Sequence, residues 1–198
     1  MSYLPDFIKN LIDEFDKLPS IGPKTATRLA FNLLHRKEDL LSFEKALKEA
    51  YEKVHFCPKC FNLTDKDLCS ICNNNQRNKK SICIVAHNQD VEAIEKTAEF
   101  NGTYHLLNGL LSPLEGITPD KLKIKELVKR IKKDNVKEII LALDQSIEGE
   151  ATIIYISKLL KDFNIKITKL ARGIPMGANI EYTDEITLSS ALKNRKKI

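Results

Sequence analysis

Two Cys-x-x-Cys pairs, Cys57-Pro-Lys-Cys60 and Cys69-Ser-Ile-Cys72, are separated by eight residues. Four thiolates this close in the chain can take the corners of a tetrahedron, a geometry Zn²⁺ accepts with Zn–S bonds of about 2.3 Å. With protein sulfur at every corner, no position stays open for water or substrate, so such a site is structural rather than catalytic. Two disulfides would need an oxidising compartment, and the start Met1-Ser2-Tyr3-Leu4-Pro5-Asp6 lacks the basic region and apolar stretch of a secretory signal. A dithiol redox pair would leave the second knuckle unexplained. Zinc is therefore the expected cofactor. Around the cysteines, Asn62, Asp65, Asp67, Asn73, Asn74 and Asn75 are turn formers that build little core. Metal binding supplies on the order of 10–16 kcal/mol to small modules of this kind. A fifth cysteine, in Ile82-Cys83-Ile84-Val85, reads as a small hydrophobe in a buried strand.

The zinc module interrupts a 198-residue chain with 42% hydrophobic residues, enough for one large or two small domains besides it. The longest apolar run, Ile139-Ile140-Leu141-Ala142-Leu143, is far short of the ~20 residues needed to cross a bilayer. A cytoplasmic protein with no membrane partner is expected. Net charge is +5, which suits a polyanion partner. The basic groups collect around the cysteines, in Lys129-Arg130-Ile131-Lys132-Lys133 and in Lys193-Asn194-Arg195-Lys196-Lys197. The second cluster reads as the solvated side of a helix or as a phosphate patch.

Ahead of the cysteines, apolar residues recur at helical spacing. Leu4, Phe7, Ile8, Leu11, Ile12 and Phe15 mark one helix, and Ala26, Leu29, Ala30, Leu33 and Leu34 a second. Pro23 stands at the first position of that second helix, where its missing N–H costs nothing. Leu40, Phe43, Leu47, Ala50, Tyr51 and Val54 predict a third helix with that face inward. Beyond the cysteines, strands and helices alternate. The pattern predicts strands over 81–86, 103–107, 138–143 and 166–170, and helices over 90–100, 121–133 and 149–163. Such alternation implies crossovers and a mainly parallel sheet. Gly173, Pro175 and Gly177 break the pattern, and a short helix around Leu188–Lys193 closes the chain.

Two stretches carry candidate chemistry. The tight connection Leu18–Lys24 leaves N–H groups unpaired at the start of the second helix, and these suit a phosphate. Lys24 and Arg28, four residues apart, share one face behind them. The stretch resembles a helix-hairpin-helix motif, which grips nucleic-acid backbone without reading bases, although Ser20 stands where that motif usually has glycine. An ordinary helical corner with two solvated cations is the alternative left open here. The second stretch, Asp144-Gln145-Ser146-Ile147-Glu148-Gly149-Glu150-Ala151-Thr152, follows the strongest strand. Functional groups gather at that end of open α/β sheets. It resembles the Toprim domain, whose Asp-x-Asp-x-x-x-Glu stretch and a glutamate ending the first strand hold Mg²⁺ for phosphoryl chemistry. Here Ser146 replaces the second aspartate, and Ala86-His87 ends the first strand. With two carboxylate positions gone, a Toprim scaffold without catalysis is expected. The alternative, in which Glu148 and Glu150 only complement a helix dipole, gives about 0.3–1 kcal/mol each.

Taken in order, the helix-hairpin-helix motif, the four cysteines, the Toprim-like sheet and the broken tail resemble the bacterial recombination-mediator family RecR. Ser112-Pro113-Leu114-Glu115-Gly116-Ile117, Glu148-Gly149-Glu150-Ala151-Thr152 and Ala171-Arg172-Gly173-Ile174-Pro175-Met176-Gly177 strengthen the likeness. It implies a multi-domain α/β chain: a helix-hairpin-helix domain over 1–54, a zinc finger over 55–78, a Toprim-like domain over 79–172 and a tail over 173–198. It also implies a non-enzymatic role in recombinational DNA repair. Family members assist RecO, and in some bacteria RecF, in loading RecA at single-stranded gaps. They form homodimers and ring-like tetramers that encircle DNA without sequence preference. Carried onto this chain, Lys24 and Arg28 would face DNA, and Asp144, Glu148 and Glu150 would meet RecO. Cys57, Cys60, Cys69 and Cys72 would hold zinc. A metal-dependent Toprim nuclease is the rival, and a zinc-bearing interaction protein that never touches DNA is a third reading. A topoisomerase would need a nucleophilic tyrosine on a further domain, and Tyr104, Tyr155 and Tyr182 lie in or beside the sheet.

Overall fold

The computed structural model describes residues 3–195. The chain divides into two units, 1–54 and 55–198.

In the first unit, α1 (Asp6–Asp16) and α2 (Pro23–Leu34) form a helical hairpin, followed by α3 (Lys37–Lys53). Phe15, Ala26 and Ala30 are its buried residues, with Leu11, Ile12, Ile21, Leu29 and Leu33 packed around them. Two alanines on α2 let the helices approach closely, so the hairpin closes on itself. That leaves little for α3 to cover. None of its residues is buried, which corrects the expectation of an inward face. Leu47, Tyr51 and Val54 are exposed, and Phe43, also exposed, stacks on Phe15 at 6.0 Å. Phe7 of α1 is exposed as well.

In the second unit, β1 (His55–Phe56) pairs antiparallel with β2 (Leu63–Thr64), and the short α4 (Ser70–Asn73) follows. Four strands then form a wholly parallel sheet in the order β4-β3-β5-β6: β3 (Ser81–Val85), β4 (Thr103–Leu106), β5 (Glu138–Leu141) and β6 (Lys166–Lys169). Between them run α5 (Asn88–Glu95), α6 (Ile124–Asp134) and α7 (Ile147–Leu159), and α8 (Glu185–Lys193) lies near the end. β3 is buried along its whole length, as expected for a parallel strand covered on both faces. Ile82 and Ile84 point to one core with Ile139 and Leu141 of β5, Leu127 and Ile131 of α6, and Ile153 and Ile156 of α7. Cys83 and Val85 point to a second core with Val91 of α5 and with Phe61 and Ile71 from the cysteine-rich segment. Burial pushes the Cys83 thiol up to about 12, in keeping with a packing role. The strands stand where their apolar runs place them. α6 starts three residues later than its periodicity suggests, because the Lys123 amide bonds to the carbonyl of Leu107. α7 starts two residues earlier, at the Ser146 cap.

Candidate metal centre and nucleic-acid interface

Each knuckle is shaped by its own backbone. The Cys57 amide donates to the Asn62 carbonyl at 2.8 Å and the Phe61 amide to the Cys57 carbonyl at 2.9 Å, with Phe61 at φ +66°. Cys69 caps α4, accepting the Cys72 amide on Sγ at 3.5 Å. This folds all four cysteines inward, none more than 4% exposed. Their sulfurs lie within 4.8 Å of one another, and Cys60 Sγ and Cys69 Sγ are 3.5 Å apart. A ZnS₄ tetrahedron with 2.3 Å bonds has edges of about 3.8 Å, so the cluster needs only small adjustments to close on the ion. Hydrogen bonding to Cys69 and Cys72, then burial, raises the Cys60 thiol, and hydrogen bonding to Cys60 and Cys72 pulls the Cys69 thiol down. Thiolate ligation of a dication would release the thiol protons. His55 stands outside the cluster, with Nε2 2.9 Å from the Lys66 carbonyl. All five cysteines are free of disulfides.

The cysteine module is fastened to the sheet. The Leu106 amide of β4 donates to the Cys60 carbonyl at 2.9 Å, and Phe61 meets His105 edge-on at 5.4 Å. Just beyond the module, Arg77 pairs with Glu95 of α5, which also accepts the Tyr104 hydroxyl at 2.6 Å. Burial and that bond raise the Tyr104 phenol, and Tyr104 is itself only 1% exposed, so it offers no nucleophile.

At the helical corner, Ser20 takes φ +66°. This is the left-handed region that glycine enters most cheaply, and it is where the motif usually has one. Gly22 caps α2 in extended conformation, with nothing within 4 Å of where a Cβ would sit. No side chain caps α2. Lys24 and Arg28 are exposed, and neither side chain takes an ion pair or hydrogen bond among the described residues. The corner presents an open helix start with two unneutralised cations on its first turns.

At the sheet, Ser146, in the second aspartate's place, caps α7 by accepting the Gly149 amide at 3.0 Å. Gly149 is required by close approach: a Cβ there would lie 2.0 Å from the Asp144 carbonyl oxygen. Asp144 and Glu148 are exposed. Glu150 is separated from them in role, because Arg172 and Lys169 pair with it. Among the described residues, the four cysteines are the one group of three or more Cys, His, Asp or Glu whose ligand atoms converge. Asp90 stands outside the residues singled out from the sequence. Its carboxylate accepts the Ala86 and His87 amides at 3.1 and 2.7 Å, at the end of β3 where a Toprim glutamate would stand. An acidic residue three positions after a helix cap was the available signal. Thr152 was also missed. It is fully buried and accepts the Leu111 amide at 2.9 Å, fixing the loop that carries Ser112–Ile117 to α7.

Family models match along the chain. The helix-hairpin-helix model of RecR covers residues 8–51, the RecR four-cysteine zinc finger domain 54–74, the Toprim domain 80–171, and the RecR C-terminal model 173–196. The chain belongs to the RecR family. The four cysteines are accordingly a structural Zn²⁺ site, and the RecR architecture places the chain in recombinational repair. The RecR helix-hairpin-helix match points to DNA binding. The RecR tail match begins just after Arg172, so the Glu150–Arg172 pair ties the Toprim motif to the start of the tail. Lys193 and Arg195 are exposed, whereas Lys196 and Lys197 of the basic cluster lie outside the described residues. No helix among the described residues is long and apolar enough to cross a membrane.

Proposed function

We propose that this chain is a non-enzymatic recombination mediator that binds DNA without sequence preference and helps RecO, and where present RecF, load RecA at single-stranded gaps. In this reading, homodimers or ring-like tetramers close around DNA. Lys24 and Arg28 face the backbone, Asp144, Glu148 and Glu150 form the RecO-facing surface, and zinc holds the cysteine module to the sheet. The observation that carries the proposal is the Lys24–Arg28 pair. Two cations without a protein partner among the described residues flank an uncapped helix start whose cap residue leaves room for a phosphate. Backbone amides and point charges recognise phosphate whatever the base.

Fluorescence anisotropy with labelled DNA tests this directly. Lys24→Ala/Arg28→Ala should weaken binding and flatten its salt dependence by about 0.9 per lost phosphate contact on duplex, with zinc content unchanged. Unchanged affinity would refute the assignment of the corner. Light scattering with and without DNA tests the ring, which a stable monomer in both conditions would exclude. Incubation of DNA with Mg²⁺ or Mn²⁺ separates mediator from nuclease. Cleavage lost in Asp144→Ala would establish the enzyme instead.

A further inference from the structure

A groove of about 430 Å³ lies between the first zinc knuckle and α6, within the second unit. Lys59, Lys129, Arg130 and Lys133 line it together with Glu126, Asp134 and the half-buried ring of Phe61. Both carboxylates are already neutralised. Asp134 is 3.0 Å from Lys59 Nζ and 3.4 Å from Arg130 Nε, and Glu126 is 3.6 Å from Lys123 Nζ. Arg130 is committed as well. It is 7% exposed, its Nη1 donates to the Tyr104 carbonyl at 2.5 Å and its Nη2 to Thr103 Oγ1 at 2.8 Å. What remains free are the side chains of Lys129 and Lys133, without ion pair or hydrogen bond among the described residues. They stand one turn apart, where like charges repel unless an anion sits between them.

We propose that this groove binds one nucleotide unit of single-stranded nucleic acid, with the phosphate at Lys129 and Lys133 and the base against Phe61. The planar guanidinium fork of Arg130, which could grip a carboxylate or a phosphate, is used up inside the protein, so the groove offers its anion point charges alone. Point-charge lysines beside an aromatic ring are the elements of sequence-tolerant single-strand binding. The site rests on the nucleic-acid reading above and adds to it a contact on the sheet unit, apart in sequence from Lys24 and Arg28.

The test uses the full zinc-loaded chain and fluorescein-labelled oligothymidine in anisotropy titrations over a range of salt. Lys129→Ala/Lys133→Ala should weaken binding about threefold to tenfold and reduce the log–log salt slope by about 1.4, two contacts at 0.7 each on single strands. Phe61→Leu, which keeps an apolar side chain in the core, should weaken binding about fivefold or more while leaving the slope unchanged. Wild type that fails to bind oligothymidine would overturn this site and the DNA reading together. Binding that depends on Lys24 and Arg28 but is indifferent to Lys129 and Lys133 would overturn the groove alone. A labelled acidic peptide that needs these lysines, when DNA does not, would assign the groove to a protein partner and overturn it too.

Discussion

Replacing Gly149 with alanine sets two effects of opposite sign against each other. Gly149 lies in the first turn of α7, and alanine in a helix is favoured over glycine by up to about 1 kcal/mol. The new methyl, however, would fall 2.0 Å from the Asp144 carbonyl oxygen and 2.9 Å from its carbon. Relief needs a backbone shift of about an ångström, because carbon and oxygen do not approach within about 3 Å without strain. The atom met is main chain, so no side-chain rotation can absorb it. Overpacking of this kind costs about 1–3 kcal/mol. Any shift also stretches the 3.0 Å cap from Gly149 N–H to Ser146, itself worth about 1 kcal/mol. The net expectation is a loss of about 2 kcal/mol, or about 4–8 °C in melting temperature for a unit of this size. Urea unfolding followed by circular dichroism measures it. Gly173→Ala is the control, since no atom lies within 4 Å of its Cβ position. A Gly149→Ala protein as stable as wild type, or more so, would show that propensity wins and that the contact is not the constraint drawn here.

Chelating the zinc should unfold the cysteine module first, removing on the order of 10 kcal/mol of its stabilisation, and hydrogen exchange should accelerate over residues 55–75 before the rest of the sheet. Ser20→Gly relieves an L-residue at φ +66°, a gain partly offset by a looser unfolded chain, so a rise of about 0.5 kcal/mol is expected; a loss would mean that the serine side chain matters. Arg130→Ala leaves Asp134 its pair with Lys59 but strands two acceptors on β4 and should cost about 1–3 kcal/mol, whereas Lys129→Ala should leave urea midpoints almost unchanged. Burial, opposed by its bond to the Lys123 carbonyl, pushes the His105 imidazole down to about 4, against about 6.5 in the unfolded chain. The folded form thus favours neutral histidine. Its contribution is complete above pH 6.5 and drains as pH falls towards 4. An NMR titration of the His105 ring with a midpoint at or above about 6.5 would refute this.

What could be read from the sequence and what could not divides along physical lines. The zinc site was legible because its ligands come in two local pairs whose spacing alone sets the geometry. The parallel sheet was legible because strands such as Ser81–Val85, covered on both faces, have to be apolar throughout. Arg130 was not legible. It sits in a run of basic residues that reads as one solvated face, and only the position of β4 beneath α6 supplies the carbonyl and hydroxyl that draw it in. Glu150 escaped for the same reason, since its partner Arg172 is contributed by the chain beyond β6.

The third helix makes the same point from the opposite side. Periodicity reports that α3 has an apolar face, and it does. Burial, though, is a property of what lies opposite, and α1 and α2 satisfy each other through Phe15, Ala26 and Ala30. Full burial of a side chain such as Leu47 or Tyr51 would contribute about 1.5–3 kcal/mol, yet both stay largely exposed. The amphipathic pattern and the hairpin packing are therefore separate facts about this chain, and the first never implied that the second would include α3. The same separation governs the acidic trio, where adjacency in sequence leaves Asp144 and Glu148 exposed while the fold turns Glu150 to Arg172. Substituting Glu150 should therefore disturb the start of the tail, and substituting Asp144 or Glu148 should not.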